Sequence, residues 1–163
     1  MLLDPHRKYL PNIANGKQAF QSSILHYPRA GDVWIAGNAV NGDKNCSSVD
    51  KDHFSGTDDE LNPWWQVNLG RQFPVSKIIV YGRTSSEPVQ LHGFQVFISS
   101  SVNGNWQGIY NNTDYGNGIF EIPVSPYVIG RYVHIVMPGT YRSQEIKIGP
   151  LLLCEVEIFS RGN

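Results

Sequence analysis

A polar segment from Gly37 to Leu61 holds a concentration of residues that could bind a metal ion. Asn38, Asn41 and Asp43 surround a glycine turn, and Asp50 follows in the same segment. Amide and carboxylate oxygens in a flexible loop are ligands that calcium prefers, together with backbone carbonyls. The alternative is a solvated acidic loop with Asx turns, which Asn and Asp favour by themselves. These residues alone do not separate the two interpretations.

The two cysteines, Cys46 in the polar segment and Cys154 near the C-terminus, are either free thiols or one disulfide. A disulfide would require an oxidising compartment. It would also bring the last strand beside the polar segment, so that Glu155 could add a carboxylate to a metal site. Two Asn-x-Ser/Thr glycosylation sequons, at Asn45 and Asn111, favour the disulfide and an extracellular location.

A second kind of chemistry is indicated by His53 and Arg83. His53 lies in the polar segment, and Arg83 directly follows an apolar run that ends at Gly82. The planar guanidinium of an arginine suits vicinal hydroxyls or carboxylates. A nearby histidine adds a donor or acceptor, which together would bind a sugar. The alternative is a surface arginine in a salt bridge and a solvent-facing histidine.

Trp64 and Trp65 lie between His53 and Arg83 in the sequence, and we expect them to fix the geometry of the polar segment that precedes them. Side chains alternate along a strand, so the two rings should point to opposite faces of a sheet. We expect one ring to fill a core and the other to close a loop or line a surface.

Six extended or β-branched runs predict strands, and turns that contain Gly or Pro separate them. No long stretch shows the helical spacing of apolar residues. The sequence therefore predicts an all-β sandwich or jelly roll. The predicted strands are Trp64–Leu69, Ser76–Tyr81, Gly93–Ser99, Gly118–Pro123, Arg131–Met137 and Leu151–Phe159.

The composition excludes several classes of function. The formal net charge is −1, with no basic stripe to neutralise nucleic-acid phosphates. No apolar run is long enough to span a bilayer, so we expect no membrane insertion. No local catalytic motif occurs, and we expect a protein that is not an enzyme. No secretory signal follows Met1, which fits a cytosolic protein or a mature or cloned fragment.

Several segments, in their order along the chain, resemble the F-type lectins, or fucolectins. This resemblance implies a jelly-roll β-sandwich of about eight antiparallel strands, related to discoidin and coagulation-factor C domains. It covers a single domain over residues 12–160, with residues 1–11 as an extension and 161–163 as a tail. The similar segments are Asn12–Lys17, Gln21–Ser23, Asn38–Asp43, Asn62–Leu69, Leu91–Gly93, Ile129–Val133 and Leu153–Phe159.

The resemblance implies that His53, Arg83 and Gln90 bind fucose. The family has an acid two residues after the first arginine, where this chain has Ser85. It also has a second basic residue where this chain has Gln90. An amide still donates hydrogen bonds, but they lack the added strength of a charged donor.

The resemblance also implies a Ca²⁺ site and a disulfide that joins the polar segment to the last strand, similar to Cys46–Cys154. In that site backbone carbonyls, one amide oxygen and carboxylates would surround the ion. The implied ligands are the carbonyls of Asn38, Asp43 and Cys154, the side chains of Asn41 and Glu155, and a contribution from Asp50.

The expected function is a calcium-stabilised, extracellular module that recognises fucose-type glycans. We expect it to be secreted or part of a cell-surface protein, and to act as a homo-oligomer or within a multidomain chain. One alternative is an adhesion or receptor domain whose loops bind a cell-surface protein. A second is a phospholipid-binding domain, for which Trp34, between Val33 and Ile35, is the one candidate for an exposed apolar tip.

Overall fold

The computed structural model describes residues 11–26, 33–47, 53–84, 91–113, 116–139 and 149–162. These residues form eight strands and one short 3-10 helix, η1. Every strand pairing among them is antiparallel, which confirms the predicted all-β fold. The elements are β1 (Gln18–Gln21), η1 (Ala36–Val40), β2 (Ser55–Gly56), β3 (Trp64–Tyr81), β4 (Gln95–Ser99), β5 (Gln107–Asn111), β6 (Ile119–Val136), β7 (Leu152–Leu153) and β8 (Glu155–Ser160).

Two strands are much longer than the sequence predicts. The runs predicted at Trp64–Leu69 and Ser76–Tyr81 are joined in β3, and those predicted at Gly118–Pro123 and Arg131–Met137 are joined in β6. The two long strands pair with each other along most of their length, and their register shifts between Asn68 and Phe73, where the two runs of β3 join. The last predicted strand is instead divided at Cys154 into β7 and β8.

An irregularity in β3 keeps both of its halves against one core. In the first half the buried apolar side chains have odd numbers, as at Val67, and in the second half beyond the bulge even numbers, as at Ile78. The register shifts between Val75 and Lys77, and a β-bulge of this kind reverses which side chains face inward. Val67 and Ile78 therefore pack into the same apolar cluster.

The two halves of β3 pair with different strands on one side: β1 pairs with the first half and β8 with the second. The strand order is β1-β3-β6-β4-β5, and β8 pairs with the second half of β3. β2 and β7 form a separate two-stranded sheet. A second, smaller apolar cluster lies beside that sheet, and we call it the disulfide cluster. Its buried members are Trp34, Cys46, Phe54, Leu152 and Cys154.

The adjacent tryptophans lie on opposite faces of β3, as predicted. Trp65 is 1% exposed and its indole N–H donates to the Ala36 carbonyl at 3.0 Å. Trp64 is half-buried and stacks on His134, with ring centroids 5.4 Å apart. Trp65 thus anchors η1, while Trp64 covers the outer face of the sheet.

Trp34 is buried, with 5% of its surface exposed, and belongs to the disulfide cluster. It is therefore not an exposed apolar tip, which removes the residue on which the phospholipid-binding alternative rested. Among the described residues there is no helix with the length and apolar character needed to cross a bilayer.

Candidate functional site

A disulfide joins Cys46 to Cys154, as expected, across 108 residues of the chain. Their Cα atoms are 5.6 Å apart, and both side chains are buried with Phe54 in the disulfide cluster. The bond fixes the polar segment against the start of β8. Residues on either side of Cys46 therefore lie near Glu155.

One amide group holds three further segments in place. The Nε2 atom of Gln21 lies 2.7, 2.8 and 2.7 Å from the carbonyl oxygens of Ser23, Trp34 and Gly56, which share its two N–H donors. Its own Oε1 is buried and has no hydrogen-bond partner within the described ranges, so the amide acts here as a donor. The loops around the disulfide are thus fastened together by a side chain from β1.

Glu155 is the most unusual ionisable group of the site because its carboxylate is fully buried. Oε1 accepts the Gly42 N–H at 3.2 Å, whereas Oε2 has no hydrogen-bond partner among the described residues. Burial raises the pKa of Glu155 to about 8, and the N–H of Gly42 and the charge of Lys44 only partly oppose it. An unpartnered buried oxygen of this kind is a candidate ligand for a cation.

Asn41 and Asn38, two other expected calcium ligands, have side chains that make hydrogen bonds within the protein. The Asn41 Oδ1 atom accepts the Asp43 N–H at 2.8 Å, which is an Asx turn. Asn38 donates from Nδ2 to the Phe54 carbonyl at 3.0 Å. Within the described part of the chain, no three His, Cys, Asp or Glu side chains are grouped as a metal site. Asp50 lies outside the described residues.

His53 contacts the loop expected to hold calcium. Its Nδ1 atom lies 2.5 Å from Oδ2 of Asp43, and the histidine side chain is 24% exposed. The second carboxylate oxygen, Oδ1, accepts the Asn45 N–H at 2.9 Å. The Asn45 N–H and then the His53 bond lower the pKa of Asp43, which keeps the carboxylate ionised. Sequence reasoning treated Asp43 as a calcium ligand and missed this contact of its side chain with His53.

Arg83 is half-buried and lies two residues after the end of β3, where hydrogen bonds join its neighbours Gly82 and Thr84 to two other loops. The Gly82 N–H donates to the Gly118 carbonyl at 2.6 Å, and the Thr84 N–H donates to the Cys46 carbonyl at 3.1 Å. The backbone on either side of Arg83 is therefore fixed, and Thr84 holds it beside the disulfide. Gln90 and Ser85 lie outside the described residues.

Gly118 permits this close approach, and we predict that Gly118→Ala disturbs it. Gly118 has φ +90°, and an added Cβ would lie 2.5 Å from the Arg83 carbonyl oxygen. Gly70 has the same φ with nothing within 4 Å, so Gly70→Ala is the matched control. Thermal or urea unfolding should show a loss of about 1–2 kcal/mol for the control, from the backbone conformation alone. Gly118→Ala should lose about 1–3 kcal/mol more, because backbone must move.

Equal losses in the two alanine variants would contradict the tight packing of Gly118 on Arg83. The comparison is informative because both variants add the same methyl group at the same φ.

A half-buried aromatic group on the outer face of the sheet was not predicted from the sequence. His134 lies between Trp64 and Trp106, with the Trp106 ring centroid 5.3 Å away, and Phe97 packs at its edge. Burial lowers the pKa of His134 to about 4, so the ring is neutral at physiological pH. Its Nδ1 atom is hydrogen-bonded to Gln66 at 3.1 Å. This group covers the sheet and is separate from the loops around the disulfide.

The two expected glycosylation sites have exposed asparagines. Asn45 lies beside Cys46, and the Ser47 hydroxyl of its sequon donates to its Oδ1 at 3.2 Å. Asn111 ends β5, and its neighbour Asn112 is buried, donating from Nδ2 to the Leu91 carbonyl at 2.8 Å. Exposure leaves Asn111 accessible to modification.

Comparison with known sequences and structures gives a consistent result. A domain family described as "NedA-like, galactose-binding domain", of the F5/F8 type C class, matches residues 38–135. Fucolectin-4 of Anguilla japonica is 30% identical over 156 residues, which cover 90% of this chain and 78% of that protein.

Two solved structures share both the fold and more than a quarter of the aligned residues. The fucolectin from striped bass (Morone saxatilis) serum has a TM-score of 0.78 and 28% identity, covering 93% of this chain and 49% of that one. This chain therefore spans about half of the striped bass protein. The lectin domain of lectinolysin, solved with Lewis b antigen, has a TM-score of 0.73 and 29% identity, covering 93% and 98%.

Proposed function

This chain belongs to the fucolectin, or F-type lectin, family, and from that membership we infer that it is a carbohydrate-recognition domain for fucose-type glycans. The family supplies the class of ligand, since its relatives are named as fucolectins and the lectinolysin domain was solved with Lewis b. We infer an extracellular location from the disulfide and the exposed sequon asparagines.

The observation that carries the proposal is the way the disulfide anchors the backbone next to both His53 and Arg83. Phe54 packs in the disulfide cluster, and Thr84 donates to the Cys46 carbonyl. The guanidinium of Arg83 supplies donors to sugar hydroxyls, and the imidazole of His53 supplies a further polar group. Gln90 would complete the set with a neutral amide, which makes a weaker donor than a second cation. Binding through several copies would compensate for a weak single site.

A calcium ion is the second part of the proposal, and the orphaned Oε2 atom of Glu155 supports it. Carbonyls of Asn38, Asp43 and Cys154, with oxygens from Asn41 and Asp50, would complete a set of hard oxygen ligands. Such an ion would supply the positive charge that the buried carboxylate lacks. Its role would be to hold the loops, with no part in any reaction.

We predict that Arg83→Ala abolishes most of the affinity for fucosides. Loss of a charge-assisted hydrogen bond costs about 1.5–3 kcal/mol, which is one to two decades in Kd. Isothermal titration calorimetry with a methyl fucoside, and a glycan array at high protein density, would measure the effect. The array on the unaltered protein tests the proposal itself, and the absence of any sugar bound would contradict it.

Arg71→Ala is the matched control for this experiment. Arg71 is an exposed arginine whose guanidinium lies 3.8 Å from the centre of the Phe73 ring, away from the disulfide. Its removal should leave fucoside affinity unchanged. If Arg83→Ala left binding to cells intact while the unaltered protein bound no glycan, the domain would instead recognise a protein.

A further inference from the structure

We propose that Asp43 is a positioning residue whose carboxylate fixes the orientation and tautomer of His53, so that Nε2 faces the ligand as an acceptor. This inference rests on the proposed function, in which His53 contacts a sugar. It concerns a different side chain from those that would touch the ligand, and it adds a requirement on the kind of group that the site accepts.

The carboxylate of Asp43 is itself held on both sides. Oδ1 accepts the Asn45 N–H at 2.9 Å while Oδ2 lies 2.5 Å from Nδ1 of His53. The backbone of Asp43 is fixed as well, because its N–H donates to Asn41 Oδ1 at 2.8 Å. The carboxylate therefore cannot turn without breaking one of these bonds, and the imidazole is held against a fixed acceptor.

The charge of Asp43 determines which ring nitrogen of His53 carries the proton. An ionised carboxylate can only accept, so the facing Nδ1 must donate, and in a neutral ring Nε2 is then left with a lone pair. Nε2 makes no hydrogen bond within the described part of the chain, and the side chain is partly exposed. His53 is thus prepared to accept a hydrogen bond from outside the protein.

An acceptor at His53 complements the donors of Arg83. A guanidinium only donates, so a ligand group that contacted both residues would have to accept from Arg83 and donate to His53. A hydroxyl group does both, whereas an ether oxygen cannot donate and a deoxy position can do neither. The carboxylate of Asp43 thus makes the site selective for a free hydroxyl. Polarisation along the series from Asp43 through His53 to the hydroxyl would strengthen each bond.

Asp43 also links the ligand site to the loop around Glu155. Gly42, which donates to Glu155 Oε1, is the residue before Asp43. A shift of this turn would therefore move the carboxylate that orients His53. The coupling is local, since two adjacent residues make the two contacts.

The test is Asp43→Asn, which keeps the shape but replaces one acceptor oxygen by a donor. Asn45 N–H favours the orientation with the amide oxygen facing it, which turns the NH₂ group toward His53 Nδ1. In the unaltered protein without ligand, we expect ¹⁵N NMR to show the Nδ1–H tautomer of His53 at a pH where its ring is neutral. The variant should show the Nε2–H tautomer or a mixture, and a methyl fucoside should bind at least about tenfold more weakly.

Asp58→Asn is the matched control, because Asp58 forms a similar pair with His26. Nδ1 of His26 lies 3.4 Å from Oδ2 of Asp58, and Oδ1 of Asp58 accepts the backbone N–H of His26 at 3.0 Å. This change should leave both the His53 tautomer and the fucoside affinity unaltered. Asp43→Ala is a second variant of Asp43, in which a mixture of tautomers is expected.

Each outcome bears on one proposal. An Nε2–H tautomer in the unaltered protein, or an Nδ1–H tautomer that persists in both Asp43 variants, would overturn the positioning role. Failure of the unaltered protein to bind any fucoside would instead contradict the proposed function, while the tautomers measured without ligand would still decide the role of Asp43.

Discussion

Reduction of the Cys46–Cys154 disulfide should lower the free energy of unfolding more than any single substitution at the site. The bond closes a loop of 108 residues, and the chain-entropy model gives about 4.7 kcal/mol for a loop near that length. Measured losses for native disulfides are about 2–5 kcal/mol. For a chain of this size that corresponds to a fall in Tm of about 10 °C. Urea unfolding with and without a reductant would measure it.

This experiment is unusually direct because the sequence has only two cysteines, both in the bond. A reductant can therefore break no other disulfide. The Cys46→Ala/Cys154→Ala double variant is the control, and its stability should not respond to the reductant. Equal unfolding free energies for the oxidised and reduced protein would show that the loops hold their positions without the bond.

The second large effect is expected on removing calcium, and it should depend on pH through Glu155. Calcium bound only to the folded state at a hundred times its Kd adds about 2.7 kcal/mol. A chelator should therefore lower Tm, and added calcium should restore it. Without calcium the folded protein must either bury a charged carboxylate or keep it protonated.

The sign of the pH effect follows from the direction of the pKa shift. Burial raises the pKa of Glu155 to about 8 from an ordinary value of 4.5, so the folded state holds a proton that the unfolded state releases. The chelated protein should therefore be most stable below about pH 4.5, as far as this group is concerned. Its contribution should fall as pH rises to about 8, by at most about 1.4 kcal/mol per pH unit.

Glu155→Gln separates this carboxylate from all other titrating groups. The variant should lose the response to calcium and should also lose the fall in stability between these pH values. The unaltered protein in saturating calcium should lose the fall as well, because the bound ion keeps the carboxylate ionised. A chelated protein with the same pH profile before and after the substitution would contradict the assignment. Absence of any calcium effect on Tm, with metal removed beforehand, would contradict the site.

The fold was predictable because its signals are local. Apolar alternation identifies the core strands, and the Trp64-Trp65 pair fixes which faces they bury. β1, β2 and β5 were not among the predicted strands because they are short, and they form through pairing with β3, β7 and β4. The joining of two runs into β3 depends on its partner β6, which local sequence does not reveal.

The candidate site was predictable only in part, because its contacts depend on the path of loops. The disulfide could be expected from family resemblance, and it explains why Glu155 lies beside Gly42. The bond between His53 and Asp43 had no sequence signal, since the nine residues between them could follow many paths. The group around His134 was equally hidden, because its rings come from separate parts of the chain.

The contacts of the Gln21 amide with three carbonyls also have an evolutionary consequence. All three acceptors are backbone carbonyls, which every amino acid provides, so the side chains of Ser23 and Trp34 are not needed as acceptors. A fastening of this kind does not depend on the sequence of the loops that it holds. Relatives could therefore differ in their loop residues, and so in the sugars that they recognise, while one glutamine still holds those loops in place.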